Sequence, residues 1–221
     1  MEKNNLSKLI QKTISSLFGL LLLMTIVFGT AYFIGNAKEE EVYQVPKTLS
    51  DQVASYQPLV EKYLKIHDKE EYTGVVLALM MQESGGRGND PMQASESYCG
   101  EVGCIEDPTL SVEKGVEYFS KVIDQANGDI KLALQSYNFG LGFINYVQEN
   151  GGSYTEELAI QFSQSKYKEL KHTGIYSCIR EEASQYEACY GDIMYVKAVL
   201  DYYSDALNHT GEAVQVALTE N

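Results

Sequence analysis

A run of seven apolar residues that ends beside a single carboxylate constrains this chain more than any other feature. Residues 75–81 carry no polar side chain, and the sequence Gln-Glu-Ser-Gly-Gly follows at residues 82–86. An apolar run of this kind predicts a helix that is buried on all sides. The glycines after Glu83 predict the end of that helix. Glu83 is therefore expected where packed protein meets an open cleft.

Burial around Glu83 has a chemical consequence. Removing a carboxylate from water disfavours its charged form and raises its pKa. A glutamate that stays protonated near neutral pH is the general acid with which a glycosidase protonates a leaving sugar oxygen. The other interpretation is that Glu83 is a surface residue capping a helix end, and this position alone does not separate the two.

Two further segments favour the catalytic interpretation. Residues 90–97 read Asp-Pro-Met-Gln-Ala-Ser-Glu-Ser, and residues 133–140 read Ala-Leu-Gln-Ser-Tyr-Asn-Phe-Gly. With Glu83-Ser84 they resemble, in order, the three motifs of the goose-type lysozyme and lytic transglycosylase superfamily. The chain is similar to the lysozyme-like domains of Gram-positive cell-wall hydrolases, including those encoded by conjugative elements. Two departures are Asp-Pro in place of Gly-Leu in the second motif, and Ser136 in place of Ala in the third.

The resemblance implies a role for each motif. Glu83 is expected to protonate the oxygen that links N-acetylmuramic acid to N-acetylglucosamine in peptidoglycan, and Ser84 to contact the acyl group of the sugar. Amide side chains pair with acetamido groups, and a tyrosine offers an apolar face with a polar tip. Packing in the core is the alternative for the methionine and the tyrosine of this set. The predicted groove-lining residues are Met92, Gln93, Tyr137 and Asn138.

The step after protonation has two possible routes. A lysozyme uses a water molecule that a second carboxylate activates, and Asp90, Glu96 and Asp107 are the candidates for that carboxylate. A lytic transglycosylase uses the 6-hydroxyl of the muramic sugar and forms 1,6-anhydro products without a second carboxylate. Asp90 has the further alternative of capping the turn before Pro91. The resemblance favours hydrolysis by a muramidase; the alternatives are transglycosylation and a non-catalytic, glycan-binding surface scaffold.

The N-terminal region predicts export. Residues 17–34 form an uncharged stretch of 18 residues, which is long enough to cross a bilayer as a helix. Three lysines precede it and three glutamates follow at residues 39–41, so the bulk of the chain is expected outside the cell. We predict a transmembrane anchor over residues 1–35, which makes this a single-pass protein of the cell membrane. A cleaved signal peptide, with secretion to the cell wall, is the alternative.

Composition along the rest of the chain predicts one helical domain. Residues 36–49 are polar and are expected to tether a lysozyme-like domain over residues 50–207, which a polar tail follows at residues 208–221. Apolar residues recur at helical spacing through this domain, with no long alternating pattern of the kind that strands show. The predicted fold is mostly α, with a long loop over residues 84–109 and another helix opening at Ser111.

The four cysteines form two local pairs, Cys99 with Cys104 and Cys178 with Cys189. Disulfides persist in the oxidising surroundings of exported proteins, so both pairs are predicted to be bridged. Zinc binding is the alternative, but neither the spacing nor the histidines match the usual ligand pattern. Free thiols also remain open at this stage. No metal and no cofactor is predicted.

The charge of the chain limits its partners. The formal net charge is −14, with only two arginines, which disfavours nucleic acid as a partner. The expected partners are peptidoglycan, the membrane through the N-terminal helix, and a wall-spanning secretion or conjugation complex. The last of these follows from the resemblance alone.

Overall fold

The computed structural model describes residues 47–211 together with Met24. The chain divides into two compact units, residues 1–45 and residues 46–221. Apart from Met24, the predicted membrane segment at residues 17–34 lies outside the described residues, as does most of the predicted tether. Within the described residues, no helix has the length and apolar character needed to span a bilayer.

The described part of the second unit is built from helices, which confirms the mostly α fold. Residues 47–211 contain no β-strand. Two short 3₁₀ helices occur at Glu70–Tyr72 and Lys171–Thr173. The α-helices are α1 (Asp51–Ser55), α2 (Gln57–Ile66), α3 (Thr73–Glu83), α4 (Ser95–Cys99), α5 (Pro108–Gln125), α6 (Ile130–Phe139), α7 (Gly142–Glu149), α8 (Glu156–Leu170), α9 (Glu181–Gln185), α10 (Tyr195–Leu200) and α11 (Tyr203–Thr210).

Helix α3 is the centre of the core. Every residue from Thr73 to Met80 is buried, and α1, α2, α10 and α11 pack against the helix. A helix with apolar residues on every face needs neighbours on every side, and these four supply them. The predicted buried helix is thus confirmed, and it ends at Glu83 as expected.

The region between α3 and α5 is more ordered than the sequence indicated. Helix α4 lies inside the predicted long loop, and α5 begins at Pro108, three residues before Ser111. Asp107 explains the early start, because its side chain accepts a hydrogen bond from the Thr109 amide at 2.9 Å. A proline fits the first turn of a helix, where its missing N–H has no partner to lose.

Two disulfides close short loops of the domain. Cys99 is bonded to Cys104 and Cys178 to Cys189, as predicted, and no cysteine is free. The first bridge closes the loop after α4. The second closes the segment that leads into α10. Both loops therefore carry a covalent restraint beside the elements that form the site described next.

Candidate active site

The end of α3 opens into a cavity of about 210 Å³. Helix α3 contributes its last residue, α6 contributes its C-terminal end, and the turn before α4 contributes the facing wall. The residues that line this cleft are Glu83, Asp90, Gln93, Ser95, Glu96, Val102, Gly103, Tyr137 and Asn138. Six of the predicted site residues are therefore brought together, across a sequence span of more than fifty residues.

Glu83 has the electrostatic environment that the sequence predicted. Burial raises the pKa of Glu83 from an ordinary value of 4.5 to about 7. The hydrogen bond from Tyr195 acts in the other direction and lowers this pKa, but burial is the larger effect. The negative charges of Asp90 and Asp192 raise the pKa further. A carboxyl group with a pKa near 7 is about half protonated at neutral pH. Glu83 can therefore both hold a proton and release it.

Tyr195 is the residue that sequence reasoning missed. It lies in the first turn of α10, is only 2% exposed, and donates its hydroxyl hydrogen to Oε1 of Glu83. Burial, and then the charge of Glu83, raise the pKa of Tyr195 well above its usual value, so the hydroxyl remains a donor. Tyr195 holds one carboxyl oxygen in place. Among the described residues, no group donates a hydrogen bond to the other oxygen, Oε2.

Asp90 faces the same cleft, but its pKa is shifted in the opposite direction to that of Glu83. Its Oδ1 accepts hydrogen bonds from the Ala94 amide at 2.9 Å and the Ser111 hydroxyl at 2.6 Å. Its Oδ2 accepts from the Ser95 amide at 3.0 Å and the Ser95 hydroxyl at 2.6 Å. Burial alone raises the pKa of Asp90, but these hydrogen bonds outweigh burial and lower the pKa below its usual value. Asp90 thus joins the turn, α4 and α5 as a fixed carboxylate.

Gln93 and Glu96 form the exposed rim of the cleft. Gln93 has a φ of +48°, a left-handed conformation that few residues other than glycine adopt. Its side-chain amide donates to the Asp90 carbonyl at 3.0 Å. Glu96 is exposed in the first turn of α4. A non-glycine residue held in this conformation at a cleft wall is typical of functional sites.

Tyr137 and Met92 lie next to each other at the floor of the cleft. Tyr137 lines the cleft, whereas Met92 does not. The Tyr137 hydroxyl donates to the Met92 carbonyl at 2.9 Å. The Met92 side chain is 0% exposed and packs against Gly115, where a Cβ atom would lie 2.5 Å from the Cβ of Met92. Met92 is not among the residues that line the cleft, and its placement corresponds to the core-packing alternative. Its side chain belongs to the core, because Gly115 leaves room for it.

Ser84 acts within the turn that follows α3. Its hydroxyl donates to the Pro91 carbonyl at 2.8 Å and accepts from the Gly86 amide at 3.0 Å. Ser84 is not among the residues that line the cleft. The hydrogen bonds connect the end of α3 to the segment carrying Asp90, and so fix the spacing between the two carboxyl groups.

Asn138 closes the far side of the cleft. Its side-chain oxygen accepts the Asp192 amide at 2.8 Å. Gly191 makes this approach possible, because a Cβ atom there would lie 2.6 Å from the same oxygen and its φ is +63°. Arg180 binds both carboxyl oxygens of Asp192 at 2.7 to 2.9 Å. This ion pair anchors the segment that delivers Tyr195 to Glu83.

Asp107 is the predicted carboxylate that the structure does not bring to the site. It caps α5 and is not among the residues that line the cleft. Among residues 47–211, no group of three or more His, Cys, Asp or Glu side chains is arranged to hold a metal ion. Besides Glu83, the cleft presents two carboxylates. Asp90 is fixed by hydrogen bonds, and Glu96 is exposed.

The chain is similar to known proteins over most of the described domain. A family model described as lysozyme-like matches residues 50–203. The uncharacterized membrane protein YocA of Bacillus subtilis is 38% identical over 174 residues, which cover 77% of this chain and 75% of YocA. The bifunctional muramidase/DL-endopeptidase CwlT of the same organism is 37% identical, and the match covers 74% of this chain and 52% of CwlT.

A solved structure shows the same fold. The crystal structure of a protein from Staphylococcus aureus, described as similar to lipoprotein of the NLP/P60 family, superposes with a TM-score of 0.61 at 37% identity. The superposition covers 71% of this chain and 54% of that one, so this chain spans about half the length of that protein and of CwlT. On the family match and the coverage of YocA, the chain belongs to the lysozyme-like family.

Proposed function

We propose that the chain is a peptidoglycan glycan-strand hydrolase, a muramidase that cleaves the β-1,4 bond between N-acetylmuramic acid and N-acetylglucosamine. The observation that carries the proposal is Glu83, whose pKa burial raises to about 7 at the wall of a solvent-open cleft. The similarity to CwlT, whose name includes muramidase, supports the choice of substrate. The physiological role that follows is local remodelling of the cell wall.

In the proposed reaction Glu83 is the general acid. Tyr195 occupies Oε1, so the proton is carried on Oε2 and passes to the glycosidic oxygen. The bond between that oxygen and the anomeric carbon of the muramic sugar then breaks, and its electron pair stays with the oxygen. Glu83 becomes a carboxylate in this step. The hydroxyl of Tyr195 stabilises the new charge, because a hydrogen bond to the ionised form favours that form.

Sugar contacts are assigned to Gln93, Tyr137 and Asn138, which line the cleft. Gln93 is exposed and Asn138 is partly exposed, so both amide groups are accessible to the acetamido groups of the strand. Ser84 serves these contacts by fixing the turn after α3. Its hydroxyl is already committed to the backbone on both sides, and we therefore assign it a positioning role.

Glu96 is the carboxylate that we propose activates water. Asp90 has both oxygens committed to hydrogen bonds and a lowered pKa, so it is a poor base. Asp107 caps a helix away from the cleft. Glu96 lines the cleft and is exposed, which leaves its carboxylate accessible to water. If Glu96 does not act in this way, the route without a second carboxylate, transglycosylation, is the alternative.

We also propose the membrane arrangement that the sequence predicts. Residues 1–35 would anchor the chain, residues 36–49 would tether it, and the domain over residues 50–207, with its tail at 208–221, would face the cell wall. The description of YocA as a membrane protein supports this arrangement. A wall-spanning secretion or conjugation complex is the proposed macromolecular partner.

The test is digestion of purified glycan strands by the full chain, with the products analysed by mass spectrometry. Wild-type protein should release products with reducing muramic-acid ends. E83Q should lower turnover by on the order of 100-fold or more, because general acid catalysis is removed. E96Q should lower turnover sharply with binding retained. E106Q is the matched control, since Glu106 is an exposed glutamate outside the cleft.

Three results would redirect the proposal. Products lighter by one water, with 1,6-anhydro ends, would mean transglycosylation. Wild-type turnover by a folded E83Q protein would refute the role of Glu83. Glycan binding without any cleavage would leave a binding scaffold.

A further inference from the structure

A second cavity lies beside the cleft and is about three times as large. This side groove has a volume of about 640 Å³, within the usual range of ligand sites. It runs along α5 and under α4. The residues that define it here are Ser97, Tyr98, Glu117, Tyr118, Ser120 and Lys121.

The side groove and the cleft share their walls. Glu96 lines the cleft, and the next two residues of α4, Ser97 and Tyr98, line the side groove. Tyr118 lines the side groove and packs on Tyr137 of the cleft, with ring centroids 5.3 Å apart. The two cavities are therefore neighbours, separated by residues of α4 and by the contact between Tyr118 and Tyr137.

The side groove carries an unused hydrogen-bonding group. Ser120 is 3% exposed, and its buried hydroxyl oxygen has no hydrogen-bond partner among the described residues. A buried polar group without a partner costs free energy, and a ligand group or a water molecule that paired with the Ser120 hydroxyl would remove that cost. Tyr98 stands at the edge with 52% of its surface exposed, although it is large and aromatic.

The charges that line the side groove leave one cation without a partner. Lys114 is paired with Glu113 at 3.0 Å and with Glu117 at 2.9 Å. Asp124 is paired with Lys69 at 2.9 Å. Lys121 is exposed and forms no ion pair within residues 47–211. In a chain with a net charge of −14, an unpaired cation beside a binding cleft favours an anionic group.

We infer that the side groove binds the stem peptide carried by the muramic acid whose sugar occupies the cleft. This inference rests on the proposed function, because it takes peptidoglycan as the substrate. A peptide supplies carboxylates for Lys121 and backbone groups for the Ser120 hydroxyl, and Tyr98 covers an apolar side chain. A bare strand of N-acetylated sugars supplies no comparable charge for Lys121.

The test is a binding measurement with the full E83Q chain, labelled with ¹⁵N-tyrosine in detergent micelles. The probes are a muramic-acid disaccharide bearing a stem peptide and the same disaccharide without it. Tyr137 reports on the cleft and Tyr98 on the side groove. The peptide-bearing probe should shift both signals, whereas the bare disaccharide should shift only Tyr137.

A charge reversal sharpens the test. K121E in the E83Q background should weaken binding of the peptide-bearing probe by roughly fivefold, the range of one exposed ion pair, and leave the bare disaccharide unaffected. K168E is the matched control, because Lys168 is an exposed lysine on α8 outside the side groove.

Other outcomes overturn the inference. A Tyr98 signal that moves equally with both probes would make the side groove a glycan subsite. A Tyr98 signal that stays fixed while Tyr137 moves would leave it without a ligand, with the proposed function intact. If neither probe moves Tyr137, the proposed function fails first and this inference falls with it.

Discussion

Glu83 and Asp90 face one cleft from two differently built regions, and their pKa values move in opposite directions. Glu83 ends a helix whose residues 75–81 are all apolar, and it receives one hydrogen bond, from Tyr195. Asp90 lies in a polar turn and receives four, from Ser95, Ser111 and two backbone amides. Burial raises the pKa of Glu83 to about 7, whereas the donors around Asp90 overcome burial and lower its pKa.

The comparison shows that burial and the number of hydrogen-bond donors together decide what a carboxyl group at the cleft can do. One donor leaves Glu83 with a free oxygen and a proton near neutral pH. Four donors keep Asp90 ionised at neutral pH and occupy both of its oxygens. Asp90 still contributes to the chemistry, because its charge raises the pKa of Glu83. Asp90, a carboxylate with a structural role, thus raises the pKa of Glu83, the candidate catalytic acid.

The largest effect on stability is expected from E83Q. Between pH 4.5 and about 7, Glu83 is ionised in the unfolded chain but protonated in the folded one, so wild-type stability falls as pH rises. Glutamine carries no charge and avoids this loss. Urea unfolding at pH 8 should show E83Q more stable by about 2 to 3 kcal/mol. The difference should vanish at pH 4, and E106Q should match wild type at both values.

D90N is expected to change the stability of the domain in the opposite direction to E83Q. The pKa of Asp90 is lowered by folding, so its stabilisation is present above the unfolded-state pKa and is lost as pH falls through the folded-state pKa. Replacing the anion should destabilise the domain by about 2 kcal/mol at pH 7, since charge-assisted hydrogen bonds are lost. The same urea titrations measure it, and the gap to wild type should narrow at low pH. A stable D90N protein at pH 7 would show that the four hydrogen bonds contribute little.

A smaller effect is expected from Y195F, which removes the single donor to Glu83. Turnover should fall by roughly tenfold, the amount that corresponds to loss of one hydrogen bond of about 1.4 kcal/mol. The hydrogen bond lowers the pKa of Glu83, so its removal should move the alkaline limb of the pH–rate profile to higher pH. Y186F is the control, since Tyr186 is exposed and is not among the residues that line the cleft. An unmoved alkaline limb would exclude Tyr195 from setting this pKa.

The sequence predicted those parts of the fold and site that are encoded locally. The apolar run before Glu83 determines both the buried helix and the carboxyl at its end, so both were predictable. The disulfides were predictable because each pair closes a short loop. Asp90 was predicted as a candidate base or as the cap of a turn, and it accepts two hydrogen bonds from the backbone amides of Ala94 and Ser95 and two from the hydroxyls of Ser95 and Ser111.

The rest depends on contacts between distant segments. Tyr195 is 112 residues from Glu83, and nothing in its local sequence distinguishes it from the other tyrosines among the 17 in the chain. Met92 turned inward because Gly115, on a different helix, leaves the space. Asp107 gave a local signal in the Asp-Pro sequence, which is typical of a helix start. The placements of Tyr195 and Met92, by contrast, are decided by packing partners that periodicity does not reveal.

The most direct test is titration of Glu83 and Asp90 by ¹³C NMR in one sample, with their carboxyl signals assigned from E83Q and D90N. Our account predicts a midpoint of about 7 for Glu83 and a midpoint below the ordinary value of 3.8 for Asp90. Titration of Glu83 near its ordinary value of 4.5 would contradict the central claim that burial beside a single donor prepares it as the general acid.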